Sequence, residues 1–186
     1  MGNHCTYKGL TIPEIDNLLE PYAEKTYKKL LDKYNNEEEA LKELSEIMFK
    51  CFRRIQFKIK CVINAGGHTS FVTWTFGTNT SKLGRLIIET VLDVRMQYMA
   101  IFPKLIYLFH SDFSGEGKPN HDLYLKSIRC SMTQLYPDYC SAEKGYLKEV
   151  YDRCGTIISA MGCRAYLSPW WDENGKERYI GRANLG

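Results

Sequence analysis

The run Ile101-Phe102-Pro103-Lys104-Leu105-Ile106-Tyr107-Leu108-Phe109 is apolar almost throughout. A strand with one wet face alternates apolar and polar side chains, so a run without alternation reads as a strand covered on both faces. Cover on both faces demands further layers, and the flanking sequence supplies them as helices. Upstream, Phe71-Val72-Thr73-Trp74-Thr75-Phe76 sets Val72, Trp74 and Phe76 against Thr73 and Thr75, a second strand rich in β-forming residues. Helical and extended segments alternate along the chain, which predicts an α/β architecture. Periodicity does not say whether such a sheet is open or closed.

Thr11-Ile12-Pro13-Glu14 reads as a helix start, with Thr11 as cap, Pro13 in the first turn and Glu14 at the positive end of the dipole. Ile15, Leu18, Leu19, Tyr22, Tyr27 and Leu30 give this helix an apolar side, and Asn35-Asn36 breaks it. A second helix starts at Glu37-Glu38-Glu39, with Leu41, Leu44, Met48, Cys51 and Ile55 as its stripe. After the polar turn Gly77-Thr78-Asn79-Thr80-Ser81, where Thr80 or Ser81 can cap, a helix carries Leu83, Ile87, Val91, Val94 and Tyr98 on one side. Residues 114–120, with two glycines and a proline, read as a loop. The next helix has Leu125, Ile128, Met132 and Leu135 as its stripe and ends before Pro137, and a shorter helix is expected over 142–153. From Gly155 onward the pattern is of short strands and turns.

With 44% hydrophobic and 25% charged residues, the chain of 186 residues has the composition of a globular domain and not of a disordered one. Its 25 Lys plus Arg against 22 Asp plus Glu leave a net charge of +3, too small an excess to argue for nucleic acid binding. No apolar stretch approaches a membrane span, and the N-terminus lacks the apolar core of a signal peptide, so a cytoplasmic protein is expected.

The seven cysteines, at 5, 51, 61, 130, 140, 154 and 163, include no Cys-x-x-Cys and no set with zinc-ligand spacing. Most read as reduced, buried, small apolar residues, Cys51 and Cys130 among them because both fall in helical patterns. Cys163 stands apart. It follows Gly162, which lets the backbone approach a ligand, and precedes Arg164, whose cation favours a thiolate. No histidine is close in sequence to act as a base, so the residues alone support a nucleophile only weakly. Asn64-Ala65-Gly66-Gly67-His68-Thr69-Ser70 reads as a tight turn into a strand, since it lacks the lysine and the following helix of a P-loop. Trp170-Trp171 reads as packing.

Several segments together resemble one family. They are Thr6-Tyr7-Lys8-Gly9-Leu10-Thr11 through Tyr22 with Tyr27-Lys28, Gly66-Gly67-His68-Thr69-Ser70-Phe71-Val72-Thr73, Phe76-Gly77-Thr78-Asn79-Thr80-Ser81, Gly84-Arg85-Leu86-Ile87, Ile101-Phe102-Pro103-Lys104-Leu105, Pro119-Asn120-His121-Asp122-Leu123, Met161-Gly162-Cys163-Arg164 and Gly181-Arg182-Ala183-Asn184-Leu185-Gly186. In this order they resemble the anaerobic (class III) ribonucleoside-triphosphate reductases over nearly the whole chain. The resemblance implies part of a ten-stranded β/α barrel of the glycyl-radical type, with residues 1–60 as a helical segment on the dimer and effector side and 61–186 as a partial catalytic barrel. It implies that Cys163 is the cysteine that becomes a thiyl radical and takes the ribose 3′ hydrogen, and that Asn184 is a polar residue near the ribose. An amide there both donates to and accepts from a hydroxyl. Among Lys25, Lys28 and Lys29, Lys28 is the candidate for an effector phosphate, although each also reads as part of a solvated basic face.

The family's wider apparatus is implied with it: a ribonucleoside triphosphate substrate, ATP or deoxynucleotide effectors, a homodimer, a structural zinc, and a glycyl radical installed by an S-adenosylmethionine iron–sulfur activase. The glycyl-radical loop, the four-cysteine zinc site, the ATP cone and the early barrel cysteine find no match in these 186 residues. A central fragment that is inactive alone, with no cofactor of its own, is therefore expected. Two other readings remain at this stage. A relative of pyruvate formate-lyase is disfavoured because that family places two adjacent cysteines at the radical loop. A non-catalytic nucleotide-binding or subunit-interaction segment would need the helices and early lysines but not Cys163.

Overall fold

The computed structural model describes residues 9–61 and 71–155, Ile157, and the short pieces 160–161, 165–166, 169–171, 174 and 177–179. Four parallel strands form one sheet: β1 (Gly9–Ile12), β2 (Phe71–Phe76), β3 (Lys104–Phe109) and β4 (Asp138–Ser141), side by side in chain order. Two helices, α1 (Ile15–Tyr34) and α2 (Glu37–Cys61), join β1 to β2. One helix, α3 (Lys82–Gln97), joins β2 to β3, and the short α4 (Ser111–Ser114) with α5 (His121–Gln134) joins β3 to β4. Helix α6 (Gly145–Cys154) follows, then two antiparallel ladders, β5 (Ala160–Met161) with β6 (Ala165–Tyr166) and β7 (Pro169–Trp171) with β8 (Glu177–Tyr179). The α/β class read from the sequence holds, with the four parallel strands as its described core.

Strand alternation divides the core in two. Val72, Trp74 and Phe76 of β2 and Leu105 and Tyr107 of β3 pack with Ile15, Phe52, Ile87, Ile88, Val91, Leu92, Val94, Leu123 and Cys130 from the helices. The intervening Ile106 and Leu108 instead join Phe113, Cys140, Ala142 and Ile157, with Leu147 and Tyr151 of α6 against them. This two-sided burial is why β3 has no polar alternation. Tyr107 sits at the centre, fully buried, with Phe76 edge-on at 5.8 Å between ring centroids and Tyr124 at 5.7 Å.

Two strands escaped the sequence pattern. Residues 9–12 pair with 71–74, so the segment expected to be wholly helical also supplies an edge strand. Thr11 accordingly lies in β1 and does not cap α1, which begins at Ile15. Glu14 makes the turn between them at φ 42°, and its N–H donates to Thr75 Oγ1 at 2.8 Å. At four residues, β1 and β4 are too short for a period of two to declare itself.

Three helix stripes are also turned from their expected positions. In α2 the buried residues are Ala40, Leu44, Phe52 and Gln56, while Cys51 is exposed and Ile55 is 41% exposed. A polar side chain takes a core position there because Gln56 Nε2 donates to the Tyr98 carbonyl at 2.8 Å. In α5 the buried row is Leu123, Ser127 and Cys130, and Met132 and Leu135 are 81% and 78% exposed. Small Ser127 and Cys130 allow close approach, the thiol of Cys130 lying 4.0 Å from the Leu92 carbonyl, so the seam goes to the small residues and not to the larger apolar row. In α1, Leu18 and Tyr22 face out and Asp16 faces in.

Among the described residues the outer edges of β1 and β4 have no partner strand. With Leu10, Leu18, Phe57, Phe71, Met99, Ile101, Met132 and Leu135 also exposed, this surface favours association. The isolated 186-residue chain is expected to self-associate; size-exclusion chromatography with light scattering that returns a single monomeric peak at micromolar concentration would contradict this.

Candidate functional site at the carboxyl ends of the strands

All four strands are parallel, so the loops that leave their carboxyl ends gather on one side of the sheet. The loop after β2 is held from below by α1. Asp16 is fully buried, and its Oδ2 accepts from the N–H groups of Gly77 and Asn79, each at 3.0 Å. Asn79 Nδ2 donates to Glu20 Oε2 at 2.7 Å, Asn79 Oδ1 accepts from Ser81 N–H at 2.8 Å, and the Ser81 hydroxyl donates to Glu20 Oε1. Ser81 Oγ accepts in turn from Gly84 N–H at 2.9 Å, the cap expected from the sequence. Gly77 adopts φ 123°, and a Cβ there would lie 2.8 Å from the Leu108 carbonyl. A Cβ on Gly84 would lie 2.1 Å from the Asn79 side chain, so both glycines are required by the packing.

Asn120, also fully buried, fastens this loop to the one after β3. Its Nδ2 donates to the carbonyls of Gly77 at 3.1 Å and Asn79 at 3.0 Å, and its Oδ1 accepts from Arg85 Nη1 at 3.0 Å. Arg85 Nη2 pairs with Asp122 Oδ2 at 2.7 Å. Ser114 Oγ and Tyr107 Oη share a hydrogen bond at 3.0 Å beneath them. Further along, His110 Nδ1 accepts from Asp112 N–H at 3.2 Å while its ring stacks on Tyr151 at 4.2 Å. Ser111 N–H donates to Glu143, which ties in the loop after β4. His110 is thus occupied in shaping the start of α4.

Burial pushes the Asp16 carboxyl above its ordinary value, partly offset by the two backbone N–H donors, and its Oδ1 has no partner. Burial likewise raises the Tyr107 hydroxyl, which stays protonated at any physiological pH. The site is therefore a rigid polar frame of amides, hydroxyls, the carboxyls of Asp16, Glu20 and Asp122 and one arginine, with no thiol or free imidazole among its described members.

The sequence-derived candidates are distributed unevenly. Cys163 and Asn184 lie outside the described residues, as do His68 and the 64–70 turn. What is described around Cys163 is the ladder that brackets it: Met161 pairs with Ala165, and β5 lies against β1. Lys25, Lys28 and Lys29 are exposed on α1, and Lys28 Nζ lies 2.7 Å from Glu24 Oε1 one turn earlier. Asp16, Asn79, Arg85 and Asn120 were not singled out as site residues from the sequence. A signal existed for three of them, since the motifs 76–81, 84–87 and 119–123 contain Asn79, Arg85 and Asn120; that these motifs meet, and meet on Asp16, is decided by the fold.

The family of anaerobic ribonucleoside-triphosphate reductases matches residues 3–186. The chain belongs to that family. It is 31% identical over 193 residues to the anaerobic ribonucleoside-triphosphate reductase of Escherichia coli (strain K12) and 30% identical over 196 residues to that of Enterobacteria phage T4. These alignments cover 97% of this chain but only 26% and 31% of the two relatives. The reductase of Haemophilus influenzae is similar at 30% identity, again over 97% of this chain and 26% of that protein. Among the described residues no helix is long and apolar enough to cross a membrane.

Two outcomes test the frame. Asn120→Ala leaves the Gly77 and Asn79 carbonyls buried without donors and should cost about 2–4 kcal/mol in urea unfolding. Asp16 is raised in the fold, so its contribution is fully present below the unfolded value of 3.8 and is lost as pH rises through the folded value. Asp16→Asn, which cannot ionise, should therefore gain stability relative to the parent as pH climbs from 3.8 toward neutrality. A parallel pair of stability–pH curves would refute the buried-carboxyl assignment.

Proposed function

We propose that this chain is the segment of an anaerobic ribonucleoside-triphosphate reductase that carries the hydrogen-abstracting cysteine and the polar rim around it. The match over residues 3–186 and the sequential parallel order β1-β2-β3-β4 support the reading. A right-handed crossover repeated in one direction, with neighbouring strands in chain order, builds a closing β/α barrel, whereas a doubly wound sheet reverses its order. The four strands then form part of the ten-stranded barrel of this family, with 61–186 as its partial catalytic portion and most of 1–60 as helices on the dimer and effector side.

Cys163 is the thiyl site in this proposal. In the whole enzyme a glycyl radical, installed by a radical S-adenosylmethionine activase, would supply the acceptor for the thiol's hydrogen atom, so that the S–H bond breaks, a glycine Cα–H bond forms and the thiyl is left on Cys163. The sulfur then takes the hydrogen atom from the ribose 3′ carbon of a ribonucleoside triphosphate: the C–H bond breaks, an S–H bond forms, and the unpaired electron passes to carbon. Asn184 holds a ribose hydroxyl by donating or accepting as the substrate changes. The frame around Asp16, Asn79 and Asn120 positions the barrel rim and does not enter the chemistry. The β5–β6 ladder, whose strands flank position 163 in sequence, lies against β1 and supports this reading. Lys28 reaches an effector phosphate by exchanging its Glu24 partner. Among the described residues no three His, Cys, Asp or Glu side chains come together to hold a metal, so no residue is assigned to the zinc.

In the full-length enzyme, Cys163→Ala should abolish deoxynucleotide formation, by at least ~10³-fold because no other step replaces the hydrogen transfer, while effector binding stays within about twofold of the parent, well under 1 kcal/mol. Retained turnover would remove the thiyl assignment.

A further inference from the structure

Away from the rim, between α2, α3 and the first residues of β3, lies a cavity of about 10 Å3, lined by apolar side chains that include Phe52 and Leu105 and by Gln56, Trp74, Arg95 and Pro103. Its volume suits one water or one monatomic ion. Arg95 is 1% exposed and Trp74 6% exposed. The Arg95 Nη2 donates to the Pro103 carbonyl, but among the described residues its Nε and Nη1 have no acceptor, and neither has Trp74 Nε1. Gln56 has already spent its Nε2 on the Tyr98 carbonyl. No carboxylate forms an ion pair with Arg95 among the described residues. Among the described residues its titratable neighbours are the Cys130 thiol, which burial pushes up to about 11, and Tyr136, whose ring lies 5.8 Å away. At neutral pH both are uncharged, so the guanidinium, although burial pulls it down to about 10, stays a buried cation with no counter-charge.

We propose that this cavity is a binding site for one small monovalent anion, a halide, held by Trp74 Nε1 and Arg95 Nε and Nη1. A water answers the same geometry poorly. It has two lone pairs for three donor groups, and even with its protons on the Pro103 carbonyl or Gln56 Oε1 of the lining it leaves the positive charge uncompensated. A halide accepts from all three donors, brings no proton and cancels the charge. The site ties the end of α3 to β2 and β3, and it is independent of the reading given for Cys163.

The test uses the full chain, purified in sodium gluconate, whose anion is too large for the cavity. At constant ionic strength, replacing gluconate by chloride should raise Tm in proportion to the logarithm of chloride once the site begins to fill. Trp74→Phe removes one donor to a charged group and should shift that dependence to roughly tenfold higher chloride. Arg95→Met should abolish it; if that variant does not fold, Trp74→Phe still decides. Crystals grown in bromide should show an anomalous peak within hydrogen-bond distance of Trp74 Nε1. Identical Tm values in chloride and gluconate, or solvent density there without anomalous signal, overturn the proposal.

Discussion

The buried carboxylate of Asp16 is the constraint on which the arrangement of this chain depends. It lies one residue into α1, directly after the turn out of β1, and grips the backbone of the loop that leaves β2 through Gly77 and Asn79. A charged or polar group so deep is tolerated only when its environment answers it. Here the answer is two amide N–H groups, and the result is that an edge strand of four residues is locked to its neighbour by more than its own short ladder. From Asn79 the same network runs to Glu20 and Ser81, and so fixes where α3 starts.

Asn120 extends the frame by one more strand. By donating to two carbonyls of the β2 loop and accepting from Arg85, it uses both ends of an amide to join three segments far apart in sequence. Beneath it the ring of Tyr107 fills the space between β2, β3 and α5, with its hydroxyl turned to Ser114. The apolar and polar layers thus share one boundary at the strand ends. Above that boundary the loops are held to one another by hydrogen bonds between buried side chains and backbone groups, which makes the rim rigid.

The opposite end of the sheet follows a different logic. There Arg95 is buried with one carbonyl and two idle donors, beside an indole that is equally unanswered. Where the rim meets most of its buried polar groups with protein partners, Asp16 Oδ1 being an exception, this end leaves a cluster of donors that the proposed anion completes. The two ends are built from the same strands, and the contrast comes from which loop residues carry acceptors.

Much of the architecture was legible from residues alone. The unalternating run through β3, the capping Ser81, the break at Asn35-Asn36 and the loop over 114–120 are local properties of composition and turn chemistry, and local chemistry survives folding. The motif resemblance placed the chain in its family because the order of short segments is also a property of sequence. Tertiary structure decided what periodicity misread. The seam of α5 went to Ser127 and Cys130 because close helix contact selects small side chains, and Gln56 entered the core because a carbonyl was waiting for it. It alone decided that β1 and β4 exist, since strands of four residues are made by their neighbours. It alone brought Asp16, Asn79, Arg85 and Asn120 together, because the worth of a buried polar side chain lies in partners that no sequence distance reveals.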